Sequence, residues 1–156
     1  MTHIEVFAVP PGEDDDFLLA WREEPRPATL YRALRDDVDF RFAELGEGGS
    51  YEVVREDGAP DAASGCVLVN PYEVAAGDDA RFLAAWDAAR ETLARQRGAI
   101  GARLHRSAEA EFRFVDVARW SSPLMFARAL QRPEFHEAAE ALPFASHPAL
   151  YQVIRS

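Results

Sequence analysis

The hydrophobic pattern of residues 66–156 predicts four strands. Residues 66–74 and 111–120 alternate between apolar and polar positions and are rich in valine and aromatic residues, which is typical of half-buried strands. Shorter runs of the same kind cover 102–106 and 150–155. Because successive side chains of a strand point to opposite faces, each segment offers one apolar face to a core.

Helical spacing separates these strands. Apolar side chains from Phe82 to Leu93 recur on one helical face, after an acidic pair that favours a helix start. A serine–proline pair then predicts a second helix, and Pro133 divides it into 123–131 and 133–141. The resulting order, β-α-β-β-α-β, is that of a ferredoxin-like α+β unit, in which helices cover one face of an antiparallel sheet.

The first part of the chain repeats this pattern in a shorter form. Three blocks match in the same order, each with an aromatic anchor: 12–21 with 77–86, 40–42 with 112–114, and 51–55 with 151–155. We therefore expect a tandem duplication. Residues 1–58 would be a truncated βαββ copy without the second helix, and residues 66–156 the complete copy.

The aromatic residues of the strand predicted at 111–120 indicate how the two copies meet. Phe112, Phe114 and Trp120 share one face of that strand, and we expect a second sheet to cover it. Two ferredoxin-like copies would then close an eight-stranded α+β barrel of the dimeric type around a sheltered cavity. They could pair within one chain, as an intrachain pseudo-dimer, or between the two chains of a homodimer.

Composition narrows the classes of function. The formal net charge of −10 disfavours nucleic acid and anionic membrane surfaces as partners. All 17 basic residues are arginines, which excludes chemistry that needs a lysine amine. Cys66 is the only cysteine, which excludes intrachain disulfides and multi-cysteine metal sites. The sequence shows no signal peptide and no membrane-spanning run, and we expect a cytoplasmic protein.

Five stretches of the complete copy carry a family resemblance. They are Val-Asn-Pro-Tyr-Glu-Val at 69–74, Arg-Leu-His-Arg at 103–106, the strand at 112–120, Pro-Glu-Phe at 133–135 and His-Pro-Ala-Leu-Tyr at 147–151. The aromatic pair Phe82 and Trp86 of the predicted helix adds to them. Together they resemble the antibiotic biosynthesis monooxygenase (ABM) family of dimeric α+β barrels. The resemblance implies an enzyme without a cofactor, a monooxygenase that oxidises an electron-rich aromatic or quinol-type small molecule in secondary metabolism.

The resemblance also nominates site residues. Asn70 and Trp120 match positions that the family uses, whereas Asp116 and Phe126 stand where its quinone-forming members have an asparagine and a tyrosine. Asp116 is an acid on an otherwise apolar strand face, which predicts either a general base of raised pKa or an ion pair with an arginine. The catalytic candidates are Asn70 and Arg113 as hydrogen-bond donors, Asp116 or His105 as the base, and Trp120. The substrate-binding candidates are Tyr72, Phe112, Phe114, Phe126, His147 and Tyr151.

Two other functions remain open at this stage. A small-molecule binding protein that is not an oxygenase, or a barrel similar to the polyketide cyclases, would share the same fold. Haem-degrading members resemble the chain at Asn70 and Trp120, but their helical histidine corresponds to Ala139. Without that imidazole we expect no tight haem complex.

Overall fold

The computed structural model describes residues 1–24, 27–63 and 65–155, and for Arg155 the backbone alone. The elements are β1 (Thr2–Phe7), α1 (Asp14–Glu23), β2 (Ala28–Ala33), β3 (Phe42–Glu47), β4 (Glu52–Gly58), β5 (Cys66–Tyr72), α2 (Asp79–Ala94), β6 (Ala99–Arg106), β7 (Phe114–Trp120), α3 (Pro123–Leu130), α4 (Pro133–Glu140) and β8 (Ala149–Arg155). A short 3₁₀ turn, Ala76–Asp78, precedes α2. No helix in these ranges is long and apolar enough to cross a membrane.

The strands form one antiparallel sheet in the order β1-β3-β2-β8-β5-β7-β6-β4. Its two edges meet where Thr2 bridges Tyr51: the Thr2 amide donates to the Tyr51 carbonyl at 2.8 Å, and the Tyr51 amide donates back at 3.1 Å. The sheet is therefore a barrel that closes within one chain. Each half of the chain contributes four consecutive strands, and the halves join at the pairs β2–β8 and β4–β6.

The first half contains one strand more than the predicted βαββ copy. Strand β2 (Ala28–Ala33) is too short to show a clear alternation, and its apolar residues Leu30 and Tyr31 are both buried although they point to opposite faces. Residues 48–51 connect β3 directly to β4, at the place where the second half has α3 and α4. Gly48 and Gly49 make this tight turn with positive φ values of 87° and 70°.

The two faces of β7 differ from the sequence expectation. Phe114 and Trp120 face the helices rather than a second sheet, since Phe114 belongs to a core cluster with residues of α2 and Trp120 to one with Ala129 of α3. Val115 lies in the cluster that fills the barrel interior. Phe112 does reach that interior, because residues 109–113 bend before the strand begins and break the predicted alternation.

Both halves build the same three-ring aromatic stack between their first helix and their sheet. In each stack the helix phenylalanine lies 4.4 Å from the phenylalanine of the third strand, with interplanar angles of 26° and 28°. The third ring lies 5.1 Å and 4.9 Å from the helix ring. The stacks are Phe7, Phe17 and Phe42 in the first half, and Tyr72, Phe82 and Phe114 in the second. This repetition supports the proposed duplication.

Two tyrosines lock the halves together in a reciprocal way. The Tyr51 hydroxyl donates to the Phe112 carbonyl at 2.6 Å, and the Tyr151 hydroxyl donates to the Phe40 carbonyl at 2.7 Å. The rings of Phe40 and Phe112 meet edge to face, 5.5 Å apart. Each half thus supplies the donor that satisfies a buried carbonyl of the other half.

Candidate functional site

A cavity of about 440 Å³ lies between the sheet and the helices of the second half. Side chains of β5 and β7 form one side, among them Leu68, Asn70 and Asp116. Residues of α2, α3 and α4 and of the segment before β8 form the rest, and most of them are apolar. The cavity therefore lies outside the barrel, whose interior is filled by the core cluster around Val69, Val115 and Tyr151. The expectation of a hollow inside the barrel is wrong.

Local sequence signals place the helices that cover this cavity. The Ser122 hydroxyl caps α3 by accepting from the Met125 amide at 3.2 Å, and Pro123 occupies the first turn. Pro133 begins α4, as predicted, so two short helices cross the site instead of one long one. On α2, Phe82 and Trp86 are buried against the sheet.

Asn70 and Asp116 form a polar pair in an apolar setting. They lie directly opposite each other on β5 and β7, and their exposed fractions are 8% and 6%. The Oδ1 atom of each side chain is buried and has no hydrogen-bond partner among the residues that the structure describes, and the same is true of Trp120 Nε1. An unpaired buried polar atom costs about 1–3 kcal/mol. A ligand that hydrogen-bonds to these atoms would offset this cost.

Burial brings the pKa of Asp116 closer to neutral pH. Removal from water raises its pKa to about 6, the charge of Asp57 adds to the increase, and Arg90 and the Trp86 side chain oppose it. Burial, with a smaller contribution from Asp116, also raises the pKa of Tyr72 beside it. A carboxyl group with this pKa can take up or release a proton near neutral pH, which suits a general base.

Four of the eleven residues nominated from the sequence line the cavity: Asn70, Tyr72, Asp116 and Phe126. Trp120 lies one side chain away, 1% exposed, with its ring 5.2 Å from that of Phe126. Phe114 is a core residue that stacks on Phe82. The remaining five lie elsewhere.

His105 and Arg113 do not reach the cavity. The neighbour of His105, Leu104, packs among the helix-side residues, so the His105 ring points to the opposite face of the sheet, with Nδ1 3.3 Å from the Val115 carbonyl oxygen. Burial lowers the pKa of His105. Arg113 forms an ion pair with Asp79 at the start of α2, at 2.9 Å between Nη2 and Oδ2. Neither side chain can contact a ligand in this cavity.

Three substrate-binding candidates lie where the halves meet. Phe112 and Tyr151 belong to the barrel interior. The ring of His147 lies against Phe112, and its nitrogens contact Asp39 at 2.7 Å and Glu73 at 3.2 Å. Asp39 and Glu73 raise the pKa of His147. These residues connect the two copies, and none of the three is among the residues that line the cavity.

Sequence reasoning missed Arg90, which lines the cavity and is only 7% exposed. Its signal was present, since Arg90 lies one helical turn after Trp86 on the apolar face of α2. A charged residue on such a face requires a partner. Trp86, which belongs to the apolar face that the helical spacing predicts, also lines the cavity.

The donor set of the cavity does not fit haem. None of the described residues that line it is a histidine or a cysteine; Ala139 stands in the lining, and His136 is exposed on α4. In the first half, ligand atoms of His3, Glu5 and Glu44 lie within 4.8 Å of one another. Glu44 there already accepts a hydrogen bond from Trp21, so hydrogen bonding accounts for this cluster.

The ABM family model, described as antibiotic biosynthesis monooxygenase, matches residues 66–141. No curated protein matches the sequence. Among solved structures, the heme-degrading enzyme LmHde from Listeria monocytogenes is 16% identical, with 97% of both chains covered and a TM-score of 0.61. This likeness shows the fold alone, over both halves.

Two shorter proteins are more similar in sequence. A candidate monooxygenase from Shewanella loihica PV-4 is 32% identical, with 58% of this chain and 95% of that chain covered and a TM-score of 0.52. A mutant of SnoaB, a cofactor-independent oxygenase from Streptomyces nogalater, is 27% identical, with 58% and 94% covered and a TM-score of 0.53. Together with the family match, these similarities support an activity of the oxygenase type.

Proposed function

Because residues 66–141 form an antibiotic biosynthesis monooxygenase domain, we propose that the protein is a cofactor-independent monooxygenase. Its substrate is an electron-rich aromatic or quinol-type small molecule of secondary metabolism, bound under α2, α3 and α4. The observation that carries this proposal is the Asn70–Asp116 pair, whose unpartnered oxygens lie beside an apolar cavity.

The cavity suits a flat, hydroxylated ring system. Its volume of about 440 Å³ lies in the range of small-molecule sites, and the rings of Phe126, Phe135 and Phe144 contribute apolar surface. A phenolic hydroxyl would supply the donor that the buried oxygens of Asn70 and Asp116 lack. The substrate would thus satisfy the polar pair while burying its rings.

The chemistry needs only the substrate, dioxygen and a base. Asp116 removes the phenolic proton, and the electron-rich phenolate reduces dioxygen and forms a carbon–oxygen bond, which gives a hydroperoxide after protonation. Loss of the proton on the same carbon then breaks the O–O bond and gives a quinone and water, so one dioxygen is consumed for each quinone. Apolar walls exclude water and strengthen the electrostatic interactions of the anion.

Oxygen uptake with a panel of anthrones and hydroquinones tests this proposal. We expect uptake that requires both protein and substrate, with one dioxygen consumed per quinone formed. Hydroquinones with both hydroxyls methylated should not react, because Asp116 would have no acidic proton to remove. Uptake no faster than the uncatalysed rate across the panel would contradict the proposal.

A cyclase-like barrel is the second candidate, because a base in an apolar cavity also suits carbon–carbon bond formation in a polyketide-like substrate. Incubation of an uncyclised polyketide analogue without oxygen separates the two functions. Product formed under anaerobic conditions would favour the cyclase.

A further inference from the structure

We propose that Asp57, on strand β4 of the first half, is a positioning residue for the site in the second half: it pairs with the charge of Arg90 in the cavity lining and thereby sets the net charge beside Asp116. The catalytic meaning of this role rests on the proposed function, in which Asp116 is the base. The degenerate first copy would then contribute to the chemistry as well as completing the barrel.

The contact between Asp57 and Arg90 has the geometry of a strong ion pair. Arg90 Nε donates to Asp57 Oδ2 at 2.6 Å, and Arg90 Nη2 donates to Asp57 Oδ1 at 2.7 Å. Two parallel hydrogen bonds fix the guanidinium plane as well as its position. The Arg90 side chain is 8% exposed and that of Asp57 35% exposed, so the pair connects solvent on one side with the cavity on the other.

Strand register brings Asp57 to this position. Asp57 lies opposite Ala102 on β6, and Ala102 lies opposite Ala118 on β7. Ala102 and Ala118 are both fully buried on the helix side of the sheet. Because these two side chains are small, they leave room above the sheet for the long Arg90 side chain between α2 and β4.

The charged and titratable groups that act on Asp116 come from three elements. Helix α2 supplies Arg90 and the hydrogen-bonding Trp86, β5 supplies Tyr72, and β4 supplies Asp57. The α3 and α4 residues of the lining are apolar (Phe126, Leu130, Phe135 and Ala139). Arg90 lowers the pKa of Asp116 and Asp57 raises it. The two members of one ion pair therefore act on Asp116 in opposite directions.

Substituting each member separately tests the role. In Asp57→Asn, Arg90 loses its counter-charge and we expect the Asp116 carboxyl to titrate about one pH unit lower. In Arg90→Gln, the same carboxyl should titrate about one pH unit higher. The readout is the pH titration of the ¹³C-labelled aspartate carboxyl signals without substrate, with the Asp116 signal assigned from Asp116→Asn.

Asp87→Asn is the matched control. Asp87 also joins α2 to β4, through Arg55 at 2.9 Å, but both side chains are largely exposed. We expect no shift in this variant. Asp57→Glu, which keeps the charge, should restore the titration to within a few tenths of a pH unit of the parent and guards against a folding defect in Asp57→Asn.

Shifts of the same sign in Asp57→Asn and Arg90→Gln, no shift in either, or an equal shift in Asp87→Asn would overturn the proposal. Because the titration uses no substrate, its outcome is independent of the oxygen-uptake experiment. Opposite shifts without oxygen uptake would support the role of Asp57 and contradict the proposed function. Oxygen uptake without opposite shifts would support the proposed function and contradict the role of Asp57.

Discussion

The two halves of the chain carry a buried acid at the same place in the fold, and they treat it differently. Glu44 on β3 and Asp116 on β7 are 1% and 6% exposed, and each lies near a tryptophan of the first helix of its half. Glu44 accepts a hydrogen bond from Trp21 at 2.5 Å and contacts His3 at 2.6 Å. Asp116 keeps one oxygen without a hydrogen-bond partner in the described part of the chain. The first half thus provides hydrogen-bond partners for both carboxylate oxygens of its buried acid, whereas the second half leaves one oxygen of its acid unsatisfied.

The residues around the two acids also differ. The residue opposite Glu44 is Glu5, whereas the residue opposite Asp116 is the neutral Asn70. Helices α3 and α4 cover the acid of the second half, while four residues, 48–51, replace such helices in the first. The cavity therefore requires the elements that the first copy lacks.

Features shared by both halves identify architecture rather than chemistry. Arg41 forms an ion pair with Asp14 at the start of α1, at 3.2 Å, just as Arg113 does with Asp79 at the start of α2. Because an arginine makes this ion pair in both copies, the position of Arg113 reflects the shared architecture of the halves. Asn70, Asp116, the buried Arg90 and the covering helices distinguish the second half as a site.

Removing each acid should have the largest and most unequal effect on turnover. Asp116→Asn eliminates the proposed base, and we expect oxygen uptake with a reactive hydroquinone to fall by about 10²- to 10⁴-fold. Glu44→Gln, the matched change in the other half, should leave the rate per folded molecule within about twofold. Equal losses in the two variants would contradict the distinction between the halves.

At pH 7, Asp116→Asn and Glu44→Gln should change the unfolding free energy in opposite directions relative to the wild type. Folding raises the pKa of Asp116 from 3.8 to about 6, so the folded state holds a proton that the unfolded state releases between these values. The wild type should therefore lose up to about 3 kcal/mol of unfolding free energy as pH rises from 4 to 7, and Asp116→Asn should escape this loss.

Glu44→Gln should instead lower the unfolding free energy by about 1–3 kcal/mol at pH 7, because it weakens hydrogen bonds to Trp21 and His3. Urea unfolding at pH 4 and pH 7 measures both variants. If Asp116→Asn were less stable than the wild type at pH 7, Asp116 would have a satisfied structural role.

The reciprocal tyrosines should give equal effects. Tyr51→Phe and Tyr151→Phe each remove one hydrogen bond to a carbonyl of the other half, and each should cost about 1 kcal/mol of unfolding free energy. Urea midpoints with an unchanged slope measure this. A loss confined to one of the two variants would show that the halves are not equivalent at their junction.

The smallest expected effect comes from His147. Asp39 and Glu73 raise its pKa above the usual 6.5, so its contribution to stability is complete below pH 6.5 and is lost as pH rises through the folded value. Asp39→Asn should reduce this loss. Thermal unfolding of the wild type and of Asp39→Asn at pH 6 and pH 8 measures this loss. If the change in stability between the two pH values were the same in both proteins, the Asp39 contact would not be its source.

The sequence alone determined the local elements and the repetition. Alternation and helical spacing are local properties, so the βαββαβ order, the start of α3 at Pro123 and the break at Pro133 could be predicted, as could the matching blocks around Phe42 and Phe114. The family resemblance also lay in contiguous stretches. Asp116 stood out because an acid on an apolar face is unusual whatever surrounds it.

Only the tertiary structure decided which face of the sheet carries the cavity. Alternation separates Asp116 from Val115 but does not say which of them meets helices and which meets the other copy. His105, Tyr151 and Arg113 could not be placed without the register and packing of distant strands. The contact of Asp57 with Arg90 depends on the pairing of β4 with β6 across the two halves, which no local pattern encodes.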